Sequence, residues 1–305
     1  MSEIHDLPSE IVMKIFHMLS KKDLSKVVLV CNKWKELVEE DHKSPWVRLY
    51  VNLDYIDIDM LGVRRLQHVR AVKVRDDWPS GSERILKKLL IVKLLKLHKL
   101  CQLELELELS RLSYVDSRLL ATLVNKLEYV DMDNCWLPRQ KVNILFGQMS
   151  EGSMLKTLWI NTSDLSGVDP ETLATCINQL EAVSLYACKL TNQQVIKVMA
   201  RMSETTNLET LKVKNNDLST VDPDTLARAV NNVKDVDLID TKMTVQQVNC
   251  LLNQAARQTK LTSLVLNEYH VRHVNKHTLK QAKENIGDLN ICDYIGIFRA
   301  LDMTL

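Results

Sequence analysis

Glycine is scarce: the 305-residue chain has seven, and they are scattered. The GxxxxGK(S/T) phosphate loop and the GxGxxG dinucleotide turn are absent, as are HExxH and GxSxG, so no familiar nucleophile, metal or cofactor motif is written into the chain. Charge of one sign is lacking too. Forty Lys and Arg stand against 39 Asp and Glu, a formal +1, which argues against a general polyanion binder and so against nucleic acid as partner. The seven cysteines (31, 101, 135, 176, 188, 250 and 292) are odd in number, with no CxxC and no disulfide-like framework, as expected of reduced, mostly buried thiols. Long uninterrupted apolar runs are missing. The most apolar stretch, Ile85 to Leu100, carries Lys87, Lys88, Lys93, Lys96 and Lys99 and does not read as a membrane span. The opening residues MSEIHDLPSE are polar, without a signal-like apolar stretch. The expectation is a soluble cytoplasmic and/or nuclear protein that works without membrane, metal or cofactor.

What is present is repetition. LSGVDPETLA (165–174) returns as LSTVDPDTLA (218–227), 53 positions on. Each copy follows a phrase of the form LxxLxLxxN/S, LKTLWINTS at Leu155 and LETLKVKNN at Leu208. Related phrases start at 102, 127, 180, 233, 261 and 286, so that successive starts alternate strictly between 25 and 28 residues apart. A further one at Val69 precedes the set irregularly.

This pattern resembles the leucine-rich repeat family, in particular its ribonuclease-inhibitor-like class with two alternating repeat types. The resemblance implies an α/β solenoid, a horseshoe with a parallel sheet on the concave side and helices on the convex side. One short strand per unit cannot bury its apolar face alone, and stacking units gives a continuous core. The duplicated phrase is then a helix start, with Asp169 and Asp222 as caps and Pro170 and Pro223 at the first helical position. Thr191 and Thr244 are the corresponding caps of the alternate units. Three histidines, His270, His273 and His277, stand at a spacing that invites a metal, but no Cys or carboxylate accompanies them at ligand-like spacing, and a solvated loop is the better reading.

Ahead of the repeats, residues 4–46 read as three short helices. Ile11, Ile15, Phe16 and Leu19 share a broad face of the first, and Ser20 is a candidate cap for the second, which carries Leu24, Val27, Val28 and Cys31. Trp34 and Leu37 continue on the third. About forty residues cannot bury this many large apolar groups among themselves, so part of the surface calls for a partner. The Leu7-Pro8 pair, the Ile15-Phe16 pair, Leu24, the Val30-Cys31 pair and Trp34 make this segment resemble an F-box. The expected organisation is an F-box over 1–46, a linker over 47–68 and a leucine-rich-repeat domain of about nine repeats over 69–305.

The F-box resemblance implies a Skp-family adaptor as partner, a cullin-RING scaffold reached through it, and a non-catalytic role as substrate-recognition subunit of an SCF-type ubiquitin ligase. Leu7, Pro8, Ile11, Ile15, Leu24, Val27 and Val30 are the candidate adaptor contacts; Phe16, Leu19, Cys31, Trp34 and Leu37 are equally candidates for the module's own core. The alternative is a non-catalytic repeat protein that binds a regulatory target without delivering it to a ligase. Outward strand positions nominate a protein-binding surface: Glu104, Glu106, Glu108, Asp131 and Asp133 as an acidic region, Trp159 and Tyr186 as aromatic anchors, and Lys212 and Lys214 beside Asp235 and Asp237.

Overall fold

The computed structural model describes residues 7–16, 18–19, 26–27, 30–40, 48–52, 69–76, 94, 100, 102–107, 116–133, 135, 137–149 and 152–292. Its contacts divide the chain into two compact units, Met1–Leu107 and Glu108–Leu305. No helix among the described residues is long and apolar enough to cross a membrane.

The first unit begins with α1 (Ser9–Phe16), whose opening amides, those of Ile11 and Val12, bond the Pro8 carbonyl at 3.0 and 3.2 Å. Glu10 near its start and Lys14 near its end both complement the helix dipole. Val12 and Phe16, one turn apart, pack against Trp34 and Val38, one turn apart on α2 (Asn32–Glu40). The Phe16 and Trp34 rings meet edge to face at 5.3 Å and 72°, the arrangement that the ring quadrupoles favour. Three parallel strands follow, β1 (Arg48–Asn52), β2 (Ala71–Asp76) and β3 (Gln102–Leu107), with Arg48 opposite Ala71 and Lys73 opposite Glu104. The stretch 47–68 is therefore not linker throughout. The backbone of RLYVN pairs in parallel with β2. The division between the two contact units falls at Leu107. Of the basic stretch 82–100, only Leu94 and Leu100 are described, and both are buried.

The second unit is a seven-stranded parallel sheet in chain order: β4 (Tyr129–Asp131), β5 (Thr157–Trp159), β6 (Ala182–Ser184), β7 (Thr210–Lys212), β8 (Asp235–Asp237), β9 (Ser263–Asn267) and β10 (Asp288–Cys292). A helix precedes β4, and one more lies between each strand and the next: α3 (Ser117–Asn125), α4 (Arg139–Met149), α5 (Pro170–Gln179), α6 (Asn192–Glu204), α7 (Pro223–Asn231) and α8 (Val245–Ala255). A four-residue α9 (Glu268–Val271) and α10 (Lys276–Ile286) join β9 to β10. The middle residue of each three-residue strand points inward: Val130, Leu158, Val183, Leu211 and Val236 are buried, as are Leu264 and Leu289 in the longer last strands. They meet inward helix residues such as Leu173, Ile177, Leu226 and Val230, so the core runs continuously from coil to coil.

The duplicated phrase does start helices. Asp169 and Asp222 each accept a bond from the amide three residues on, of Thr172 and Thr225, at 2.9 Å, and proline follows each. Thr191 and Thr244 form reciprocal capping boxes with Gln194 and Gln247. The glutamines do a second thing the spacing does not announce. The buried Nε2 of Gln194 donates to the carbonyls of Leu165 and Val168, both at 2.7 Å, tying the LSGVDP turn of the preceding coil. Gln247 repeats this on Leu218 and Val221 at 2.8 and 2.7 Å.

Strands β5 to β8 each end in a sharp turn at the eighth position of the phrase, where Thr162, Ala187, Asn215 and Asp240 have φ between 53° and 60°. From β4 to β8 the ninth position then turns inward and is buried, as Cys135, Ser163, Cys188, Asn216 and Thr241, whereas its counterpart Tyr269 is exposed. Three of these side chains bond carbonyls: Cys188 that of Ile160 at 3.3 Å, Asn216 that of Leu185 at 2.8 Å, and Thr241 that of Leu238 at 2.7 Å. In the last coil the role passes to His270, which is buried in α9 with Nε2 at 2.9 Å from the Thr241 carbonyl. The expected solvated histidine loop is corrected in this respect. His277 opens α10 and His273 lies in the turn before it, but His270 is a core residue, because the coil needs a polar group there.

Candidate interaction surfaces

Two surfaces, one in each unit, gather the residues singled out above. On the first unit the helices sort the apolar side chains. Phe16 and Trp34 form the core with Val12 and Val38, while Leu19, Cys31 and Leu37 pack partly buried against it. Ile11 and Ile15, one turn apart, stay exposed at 41% and 37%, and Val30 at 55%. Pro8 is also exposed, whereas Leu7 and Val27 lean on the core. Leu24 lies outside the described residues. Met18, exposed at 86%, extends the Ile11–Ile15 stripe. It stands in the turn after α1, where its amide bonds the Ile15 carbonyl at 3.0 Å. Together these side chains leave a large uncovered aliphatic area for so small a module.

The second surface is the outer face of the seven-stranded sheet. Trp159 lies at its centre, tilted against Tyr129 with ring centroids 6.0 Å apart. The Lys212 ammonium sits 4.8 Å from the Trp159 centroid, although β5 and β7 are separated by β6. The small Ser184 of β6 lies between them and is buried beneath them, an outward residue covered by its neighbours. Tyr186 remains exposed beside it. Lys214 pairs with Asp237 at 3.0 Å, so the lysine–aspartate neighbourhood satisfies one of its two cations internally and gives the other to tryptophan.

The acids divide. Glu104 and Glu106 belong to the first unit, where their register partners are Lys73 and Arg75, and Glu108 lies outside the described residues. Asp131 and Asp133 belong to the second unit. Asp131 accepts the Asp133 amide at 3.0 Å, and Asp133 accepts the Asn161 side-chain amide at 2.7 Å. Asn161 in turn accepts from the Ser184 hydroxyl at 2.7 Å and the Tyr186 amide at 2.8 Å, so one polar chain fixes this corner of the face.

Burial pushes the Cys176 and Cys188 thiols up to about 12, which keeps them protonated and unreactive at neutral pH. Cys250, raised to about 11 by burial and by its bond to Asp224, is likewise a thiol. No group of three metal-ligating side chains gathers among the described residues. Beyond the sheet face, the acids with lowered pKa serve the scaffold: Asp169 and Asp222 bond helix-start amides, and Asp164 and Asp217 bond the serines two residues on.

A small helical module precedes a stack of strand–helix coils with the architecture of leucine-rich repeats. The family model for the F-box-like domain matches residues 4–52. No curated protein matches the chain. Among solved structures, the crystal structure of the yeast Rad7 and Elc1 complex contains a chain of the same fold, at a TM-score of 0.55 and 13% identity. The alignment covers 93% of this chain and 80% of that one. At that identity the likeness is one of fold.

Proposed function

We propose that this chain is a substrate-recognition subunit of an SCF-type cullin-RING ubiquitin ligase. Its F-box-like unit docks on a Skp-family adaptor, and the sheet face of the repeats holds a protein substrate. The observation that carries the reading is the F-box-like match over 4–52, together with the exposed Ile11, Ile15, Met18 and Val30 of that same segment. The Rad7 chain, solved in complex with Elc1, supports the pairing of such a fold with a separate protein partner. In this role the chain does no chemistry of its own; it holds a substrate so that its lysines meet ubiquitin transfer elsewhere in the assembly. Cytoplasm and nucleus are the compartments where such an assembly would operate.

The test is copurification of the Skp adaptor and a cullin with the full chain from cells, wild type against Ile11→Glu/Val30→Glu. These positions are exposed, so the variant keeps its core, whereas Leu7 packs on that core. Adaptor and cullin present with wild type and lost with the variant support the proposal. A folded wild type that brings down neither overturns it. Adaptor without cullin would favour the regulatory-binder alternative.

A further inference from the structure

Opposite faces of the second unit carry opposite charge. The sheet face presents Asp131, Asp133, Asp235, Asp237 and Asp288 against Lys212 and Lys214 alone. On the helix side, α4 and α10 hold Arg139, Lys141, Lys276, Lys280 and Lys283 against the single carboxylate of Glu284. Both lysines of the sheet face are already engaged, Lys214 by Asp237 and Lys212 by the Trp159 ring. The carboxylates of Asp133 and Asp235 are held instead by neutral donors, the Asn161 side chain at 2.7 Å and the Thr262 hydroxyl at 3.0 Å. Among the described residues no ion pair reaches either of them. They are oriented but not neutralised, which suits them to meet a cation from outside.

Their placement sets a length. Register aligns Asp235 with Thr210, Ala182, Thr157 and Tyr129 across the sheet, so Asp133 lies four strands away and four residues further along. With strands about 4.8 Å apart and about 3.3 Å per residue, the diagonal is about 23 Å, about seven residues of extended chain. Midway along it lies Ser184, capped by Trp159 and Lys212, with Tyr186 exposed alongside. The centre of the diagonal is thus aromatic, with the Lys212 ammonium already seated on the Trp159 ring and Tyr186 left exposed, and its two ends are anionic.

We infer that this face seats an extended protein segment with two basic residues about seven positions apart and an apolar residue midway. The arginine or lysine at one end meets Asp133, with Asp131 beside it, and the other meets Asp235. The central side chain lies on Trp159 and Tyr186. Aromatic area at the middle excludes water, and the charged ends set register and direction. The inference deepens the receptor reading, on which its role in substrate choice rests, by naming the chemical class of segment.

Fluorescence anisotropy of the full chain with a labelled peptide, two arginines seven positions apart and leucine midway, tests it. Binding is expected to weaken about tenfold or more in Asp133→Asn/Asp235→Asn, to fall with added salt, and to fail when glutamates replace the arginines. Closing the arginine spacing to three positions is expected to weaken it as well. Equal binding of the glutamate peptide, of the close-spaced peptide, or by the double variant would overturn the proposal, as would no binding at all. Urea unfolding of the variant separates lost binding from lost fold, with Trp159→Ala as a second variant of independent position. Light scattering is read in parallel: self-association abolished by the double variant would make a second copy, through its basic helix face, the occupant and would overturn the proposal. Adaptor copurification is expected to be unchanged in the double variant. If the peptide binds as described but wild type brings down no adaptor, the receptor reading fails while the binding face stands.

Discussion

Arg139 passes where Gly167 has no side chain: a Cβ built on Gly167 would stand 2.0 Å from the arginine Nε and 2.5 Å from its Cγ. The second copy of the phrase has Thr220 at the corresponding position, and the residue corresponding to Arg139 there is Asn192. Glycine and arginine thus form a matched pair in one copy, replaced together in the other.

A double-mutant cycle reads that match. Gly167→Ala alone is expected to be neutral or mildly destabilising, because the gain from a stiffer unfolded chain is offset by displacing Arg139. In an Arg139→Ala background the same change is expected to stabilise by about 0.4–1 kcal/mol, the ordinary benefit of replacing glycine where its φ permits. Urea midpoints at constant slope measure both. The same effect of Gly167→Ala in both backgrounds would show that the close approach has no energetic weight.

The glutamines that tie neighbouring coils are expected to outweigh the caps they belong to. Thr191→Ala removes one exposed-side cap bond and is expected to cost about 1 kcal/mol. Gln194→Ala leaves the buried carbonyls of Leu165 and Val168 without their donor, and the Thr191 amide without its acceptor. A loss of about 2–4 kcal/mol follows from stranding several such groups. Equilibrium unfolding of the two variants side by side decides the order; a larger loss for Thr191→Ala would contradict it.

Ala187 holds φ at 53°, a region costly to any residue with a Cβ. Ala187→Gly is therefore expected to raise stability by up to about 1 kcal/mol, against the usual penalty of introducing glycine. A rise in thermal midpoint with unchanged adaptor and peptide binding is the result to look for. A fall would mean that the turn gains something from the methyl group.

These particulars show where sequence was enough. Leucine and valine at fixed spacing announce the strands, because a strand that buries one face must alternate and a stack must repeat. Asp-Pro before an apolar helix announces its start just as directly, since the cap and the fixed proline φ are local. Gln194, His270 and β1 were not legible for one shared reason: their roles lie in another coil or strand. A glutamine at the third helical position reads as half of a capping box whether or not its amide reaches the coil before. RLYVN reads as linker until a second strand supplies its hydrogen bonds. The F-box helices show the same limit, for the pattern names Ile15 and Phe16 together, and only packing assigns one to the surface and the other to Trp34. On the sheet face, alternation placed Trp159, Tyr186 and Lys212 outward, but that Lys212 would cross a strand to reach Trp159 depends on the smallness of Ser184 between them.

His270 makes the last coil sensitive to acid. Nδ1 accepts the Asn267 amide at 3.3 Å and Nε2 faces the Thr241 carbonyl at 2.9 Å, so the neutral Nε2–H tautomer satisfies both. Burial lowers the pKa of the imidazole below its ordinary value, outweighing the Thr241 carbonyl and the nearby Asp240 carboxylate, which pull the other way. Above the unfolded value of about 6.5 both states are neutral and the contribution is complete. As pH falls below that value the unfolded chain takes up a proton that the folded chain refuses, and stability is lost until the folded imidazole also protonates. Asp164 and Asp217, whose pKa values are lowered chiefly by their serine partners, lose their contribution only at more acidic pH, below the ordinary aspartate range, so the windows separate. Urea midpoints measured from pH 7.5 to 5 are expected to decline in wild type and to decline less in His270→Gln, whose amide donates to the Thr241 carbonyl without titrating. Parallel declines in the two proteins would assign the acid sensitivity to another group.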